Sequence, residues 1–351
     1  MRRSIILFLA ILALLLMIAG CKQGPQNDNI SGQPKPAAGT PAAPAAQPAN
    51  QTQQNATVSP VEQLIVTPKA NETANATAGG NETPEAEEPQ APQIKEGMNL
   101  TVHFINVRHG DSVFIVSPNN GTMLIDGGFT NQGGPLMHYL RDNGLKEGYF
   151  DVMMASNSDP YHIGGLGAVL FNMALVGEIL HNGITSDEQY YAAFDQFSKQ
   201  KGKPTVVSKD RTVNLDENMQ IQLIVPYVDG YFNKTEDNSI VTKITYGDVS
   251  ILLMSDCTKA CEDKIMGRDL KADIIKIADY GSNESTSLTL INEVKPKVAI
   301  LSIGEFNEFS VPDSGLLKRL MENNIDILRT DVNGSIIVTS DGRGYSIKTE
   351  K

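Results

Sequence analysis

The feature that most restricts the fold of this chain is a long series of short apolar runs, four to nine residues each, spread over residues 99–340. They read "NLTVHFINV" at 99–107, then 112–117, 122–126 and 151–155, and later "EILH", "MQIQLIVP", "SIVTKITY", "VSILLMS", "DIIKIA", "KVAILSI", "DILRT" and "SIIVTS". Apolar alternation and β-branched residues mark them as strands. Segments of helical period lie between them: "GPLMHYLRDNG", closed by Gly144, "GGLGAVLFNMAL" after His162, and 187–200, 258–267, 285–294 and 314–323. Tight connections such as the one inside "ITYGDVSILL" pair neighbours into hairpins. Many strands with helices interleaved on the outside predict a layered α/β sandwich, and residues 98–351 are long enough to fold as one large domain.

Upstream of residue 98 the patterning stops. Arg2 and Arg3 precede an uncharged apolar run from Ile5 to Ala19 that ends in "IAGC" at 18–21. This is the form of a lipoprotein signal peptide over residues 1–20, with Cys21 as the lipidated residue and the membrane as its partner. An uncleaved anchor is the alternative, but the run falls short of the ~20 apolar residues a spanning helix needs. Either way the bulk of the chain is expected outside the cytoplasm, tethered to the cell membrane. Residues 22–97 are rich in Pro, Ala, Gln, Asn, Thr and Glu and offer little apolar surface to bury, so a disordered linker is expected. Asn29, Asn50, Asn55, Asn71, Asn75 and Asn81 open N-glycosylation sequons there, which suits either a glycosylated stalk or a merely polar spacer. Asn99, Asn120, Asn233, Asn283 and Asn333 add five more in the domain.

The chain carries a net charge of -12; residues 1–21 contribute +2 and residues 22–97 contribute -4, which leaves -10 on residues 98–351. An acidic surface argues against strong nucleic-acid binding. With Cys21 assigned to lipid, Cys257 and Cys261 remain as a C-x3-C pair, either a disulfide that needs a local turn or two free thiols.

Seven blocks give the domain a family likeness. "VHFINVRHGDSVFIV", "TMLIDGG", "SNSDPYHIGGL", "NSIVTKITYGDVSILLMSD", "LKADIIKIADYGSNESTS", "VKPKVAILSIG" and "LRTDVNGSIIVTSDGRGYSI" stand in the order found in the hydrolase domain of ComEC-type DNA-uptake proteins. The domain therefore resembles the metallo-β-lactamase superfamily over residues 99–348. That resemblance implies a four-layer αββα sandwich with metal ligands on loops at one edge of the sheets. Two metals would hold a bridging hydroxide there and lower the pKa of bound water.

The same resemblance shows a degenerate ligand set. In the family loop T-H-P-D-A-D-H-I-G-G, Asn157 takes the place of the first His and Tyr161 that of the second Asp, while Asp159 and His162 are kept. Family G-D becomes Ser255-Asp256, family G-H-H-G-S becomes "ADYGS" with Asp279 and Tyr280 at the histidine positions, and Val311 replaces a further His. Asp159, His162 and Asp256 remain as candidate ligands and catalytic residues, joined by Asp279 and by His109, which stands for a Gln in V-G-Q-G-D. Such a set suits one weakly held divalent ion, Zn, Mn, Mg or Ca, or none. Each residue also has a structural role open to it: a helix-start hydrogen bond for His162, N-caps for Asp159 and Asp256, a surface loop for His109. Asp126 in "IDGG" is expected to orient its turn.

No G-x-S-x-G elbow and no phosphate-binding glycine loop is present. Two functions follow: a weakly active or non-hydrolytic surface binding or scaffold domain, or a metal-dependent phosphodiesterase working through a rewired, carboxylate-rich site.

Overall fold

A computed structural model describes residues 64–66, 98–145, 148–173, 175–305 and 310–351. The expected signal peptide, Cys21 and nearly all of the linker lie outside the described residues. The strands are β1 (Leu64–Val66), β2 (Leu100–Phe104), β3 (Val113–Val116), β4 (Thr122–Ile125), β5 (Tyr149–Ala155), β6 (Leu175–His181), β7 (Pro204–Val206) and β8 (Arg211–Val213). They continue as β9 (Gln220–Ile224), β10 (Val241–Tyr246), β11 (Val249–Leu253), β12 (Ile274–Lys276), β13 (Val298–Leu301), β14 (Asp326–Arg329), β15 (Ile336–Ser340) and β16 (Tyr345–Thr349). Among the described residues they form a nine-stranded sheet, β1-β16-β15-β2-β3-β4-β5-β6-β7, and a seven-stranded sheet, β14-β13-β12-β11-β10-β9-β8.

Three apolar cores separate four layers. Alternate residues of each strand point to opposite faces, so Val113, Ile115, Met123 and Ile125 meet Ile251, Leu253, Val298 and Ile300 between the sheets. Phe114 and Leu124, from the same strands, face outward onto helices Gly133–Asp142, Leu166–Asn172 and Gln189–Lys201. On the far side Leu252, Ile275 and Leu301 pack under helices Lys259–Ile265, Leu288–Val294 and Ser314–Glu322. This is the expected αββα sandwich, with both sheets covered on the outside by helices.

Where the local signals are weak, the structure departs from expectation. β7 and β8 are three-residue strands with mixed polarity and go unmarked by periodicity. Leu64–Val66, inside the stretch expected to be disordered, pairs antiparallel with β16, Leu64 opposite Ile347 and Val66 opposite Tyr345. The helix expected after His162 runs Leu166–Asn172, and a separate short helix, Pro160–Ile163, precedes it; Asp159 is the N-cap of the short one, accepting the Tyr161 amide, with Pro160 at its first position. Cys257 and Cys261 form a disulfide with Cα atoms 5.2 Å apart. Cys257 lies before helix Lys259–Ile265, so the bridge spans a turn into the helix and not an unbroken helix. Among the described residues no helix is long and apolar enough to cross a membrane.

Backbone bonds lock three loops together at one end of the sandwich. Gly128 N–H donates to Asp111 O at 2.8 Å, Gly127 N–H to His162 O at 2.7 Å, Gly165 N–H to Gly128 O at 2.9 Å, and Asp111 N–H to Tyr161 O at 3.1 Å. Such close approach leaves no room for side chains: a Cβ on Gly165 would lie 2.0 Å from Gly127 O. Gly165→Ala is accordingly expected to destabilise the full-length chain by about 2 kcal/mol, read from its denaturant midpoint, because backbone on both sides must shift.

Candidate functional site

The site lies where the strand ends of both sheets converge. Asp126 follows β4 and Ser156 follows β5, while Ser255 and Asp256 come just after β11. Lys276 ends β12, Asp279 and Tyr280 follow it, and Asp111 precedes β3. Arg108, Asp126, Ser255, Asp279 and Tyr280 all have positive φ. Left-handed backbone at non-glycine residues is uncommon and gathers where surrounding contacts over-determine a loop. Ser255 sits at φ 52° in the family's glycine position. Its hydroxyl is bonded to Ser156 Oγ at 2.6 Å and accepts from Asn157 Nδ2 at 3.3 Å, bonds that offset the backbone strain.

His162 is fully buried at the centre. Its Nδ1 meets Asp126 Oδ2 at 2.8 Å and its Nε2 meets Asp256 Oδ2 at 2.7 Å. The Tyr280 hydroxyl is 2.9 Å from Nε2 and 3.5 Å from Asp256 Oδ2. With a carboxylate at each ring nitrogen, both nitrogens act as donors and the imidazolium is favoured. Burial alone lowers the His162 pKa; Asp256, Asp126 and Asp111 together outweigh it and hold the pKa well above the usual histidine value. For Asp256, burial pushes upward but His162 and then Lys276 prevail, and the carboxyl stays below its ordinary range.

A second buried pair stands beside the first. Lys276, 1% exposed, donates to Asp111 Oδ2, and also to Ile277 O at 3.2 Å. Burial raises the Asp111 pKa, partly offset by Lys276 and His162. Asp126 accepts the Ser156 amide at 2.7 Å and the Ser156 hydroxyl at 2.5 Å, so it orients the loop as expected while also holding His162.

One donor atom each from Asp111, His162 and Asp256 lie within 4.8 Å of one another, close enough for a single ion. Two of the five residues expected as ligands from sequence, His162 and Asp256, enter this cluster. Asp159 remains an N-cap, and Asp279 accepts the Ser282 hydroxyl. Burial raises both carboxyls to a pKa of about 6. His109 packs against Tyr280 with tilted rings, centroids 4.3 Å apart, and meets Tyr161 edge-to-face at 5.0 Å, and burial lowers its pKa to about 4. Asn157, at a family histidine position, now donates to Ser239 Oγ at 3.2 Å and to Asp256 Oδ2 at 3.3 Å. Val311 packs against the outer core of the seven-stranded sheet. Sequence reasoning passed over Asp111 and Lys276; the signal for the first stood in "RHGDS", two residues after His109, and the second is a lone charge inside an apolar strand run.

The family's two-metal centre does not fit this donor set. Among the described residues a single cluster of three donors converges, and Lys276, the His162 imidazolium and Tyr280 already face those carboxylates. Tyr280, His109, Tyr161 and Phe129 continue outward as a row of neighbouring rings.

Removing one partner of this network leaves a buried charge unmatched. His162→Gln is expected to cost roughly 3–5 kcal/mol of unfolding free energy, since Asp126 and Asp256 lose their shared cation. The wild-type network fixes the pH window. A raised His162 pKa gives stability that is complete below about 6.5 and lost as pH climbs through the folded value; a lowered Asp256 pKa gives stability present above about 3.8 and lost as pH falls. Asp279 acts in the opposite sense. Its carboxyl, raised to about 6, is tolerated when protonated and costly once ionised. Asp279→Asn, which suits the positive φ, should add about 1 kcal/mol at pH 8 and nearly nothing at pH 4, measured by denaturant titration.

No protein-family model matches the chain. Over 254 residues it is 27% identical to ComE operon protein 3 of Bacillus subtilis, covering 67% of this chain and 32% of that protein. Over 243 residues it is 26% identical to Recombination protein 2 of Haemophilus influenzae, covering 68% and 28%. The chain thus spans about a third of the length of these curated relatives. Among solved structures, the metallo-beta-lactamase fold protein YhfI from Bacillus subtilis aligns with a TM-score of 0.49 at 14% identity, covering 69% of this chain and 100% of that one. The folded part of this chain is an αββα sandwich, the fold that its resemblance to the metallo-β-lactamase superfamily implies, and is similar in sequence to the ComEC-type competence proteins.

Proposed function

We propose that this chain is a lipid-anchored extracytoplasmic domain that keeps the hydrolase framework without the hydrolase chemistry and acts as a surface binding or scaffold module. One observation carries the reading: Lys276 is buried against Asp111 inside the ligand cluster. An ammonium held there supplies the positive charge that carboxylates would otherwise seek from a metal. The Tyr280 hydroxyl adds to this, because it stands 2.9 Å from the His162 nitrogen that would face an ion. A phosphodiester would also meet a domain of net charge -10. The lipid anchor rests on "IAGC" ahead of Cys21, and no protein partner is named by any feature of the site.

A second reading has one observation in its favour. Asp111 Oδ1 and Asp256 Oδ1 are buried without a hydrogen-bond partner among the described residues. Buried carboxylate oxygens in that state are costly, and a single ion held by Asp111, His162 and Asp256 would satisfy them.

Metal analysis separates the two. After incubation with Zn, Mn or Ca and removal of excess, the full-length protein is expected to hold less than about a tenth of an equivalent and to leave a phosphodiester substrate intact, since its ligands are already charge-paired. Lys276→Ala, which frees Asp111, should raise metal uptake. Near-stoichiometric metal in the wild type that disappears in Asp256→Asn would instead establish the one-ion hydrolase.

A further inference from the structure

Eleven of the 26 asparagines open an Asn-X-Ser/Thr triplet. Serine and threonine make up 44 of 351 residues, which by chance would follow at the right spacing after about three of those asparagines. The structure sorts the asparagines further. Asn157, Asn182, Asn218 and Asn238 are buried, and none of them opens a triplet. Of the five triplets in the described domain, Asn99, Asn120, Asn233 and Asn283 are exposed and Asn333 is half-buried.

Two of these asparagines stand together at the site. Lys234, next to Asn233, pairs with Glu284, next to Asn283, at 2.9 Å. The loop after Asn233 supplies Asp237, which accepts the Thr258 hydroxyl, and Ser239, which accepts from Asn157. The loop before Asn283 supplies Asp279 and Tyr280. Asn283 Oδ1 accepts from Arg319 Nη1 at 2.8 Å, an arrangement that engages the carbonyl oxygen and leaves Nδ2 facing away from that bond. Asn99 and Asn120 lie at the other end of the nine-stranded sheet, the first just before β2 and the second in the turn between β3 and β4.

We propose that Asn233 and Asn283 carry N-linked glycans standing as a pair on the rim of the closed site, with Asn99 and Asn120 modified at the opposite end. The co-reactant is a lipid-linked oligosaccharide phosphate. Asparagine Nδ2 forms a bond to the anomeric carbon, the carbon–oxygen bond to phosphate breaks, the lipid phosphate leaves with the electron pair, and the amide proton passes to solvent. No triplet occurs between Asn120 and Asn233, so helices Gly133–Asp142, Leu166–Asn172 and Gln189–Lys201 stay bare. Glycans on the rim would keep a polymer from reaching the loops around Asp256, whereas that helical layer remains open to contact. The proposal rests on the extracytoplasmic reading above.

The test uses the full chain isolated from the membranes of cells that make it naturally. Peptides spanning Asn233 and Asn283 are weighed by mass spectrometry, and intact cells are shaved with protease in parallel. Both peptides should carry hexose-containing additions. Asn233→Gln and Asn283→Gln should each lower the apparent mass by one step, with exposed Asn119→Gln lowering nothing. Protease-accessible protein whose two peptides are wholly unmodified overturns the glycan proposal and leaves the location standing. Protein untouched by protease overturns the location, and the proposal with it.

Discussion

Five ionisable side chains meet in the seam where the two sheets end, and His162, Lys276, Asp256, Asp111 and Asp126 are each no more than 2% exposed. Ions so far from water are tolerable only when each finds an opposite charge and oriented donors. His162 satisfies this for Asp126 and Asp256 at once, one ring nitrogen to each, and Lys276 does so for Asp111. The four loops that bring these residues together come from strands far apart in sequence. Their meeting depends on this charge balance as much as on the apolar cores beneath.

Three acidic and two basic side chains share the cluster. A hydrolytic centre of this fold class would need that region open, with several neutral imidazoles directed at metal. Here the surrounding carboxylates hold the imidazole pKa well above its usual value, an asparagine at one ligand position donates instead of accepting, and a tyrosine hydroxyl shares Nε2 with Asp256. Asn157 and Tyr280 each stand at a family ligand position and donate to Asp256.

Much of the fold was legible because buried strands such as "VSILLMS" and "KVAILSI" carry a strong local signal, and ordered blocks fixed their arrangement. β7 and β8 were not, since a three-residue strand takes its identity from its neighbours and hardly from its own side chains. At the site, the loop 156–165 announced itself through Asp159, His162 and the glycines, yet spacing left open whether Asp159 would face an ion or cap the helix that begins at Pro160, as it does. Nor could it reveal Lys276. A lysine in an apolar run reads as an edge or surface charge until β12 is seen to end beside Asp111.

The rim extends the same electrostatic logic outward. Asp159 and Asp279 are both held at a pKa of about 6, and the charges that raise them include Asp256, itself kept ionised by His162. Glu236 acts on both carboxyls, and Glu284 on Asp279. Lys276 and His162 lie beneath these carboxylates and are already paired. Attraction of a phosphate backbone requires uncompensated positive charge within about a Debye length of the surface. The buried cations do not supply it, which supports the proposal above of a domain that does not grip a phosphate backbone.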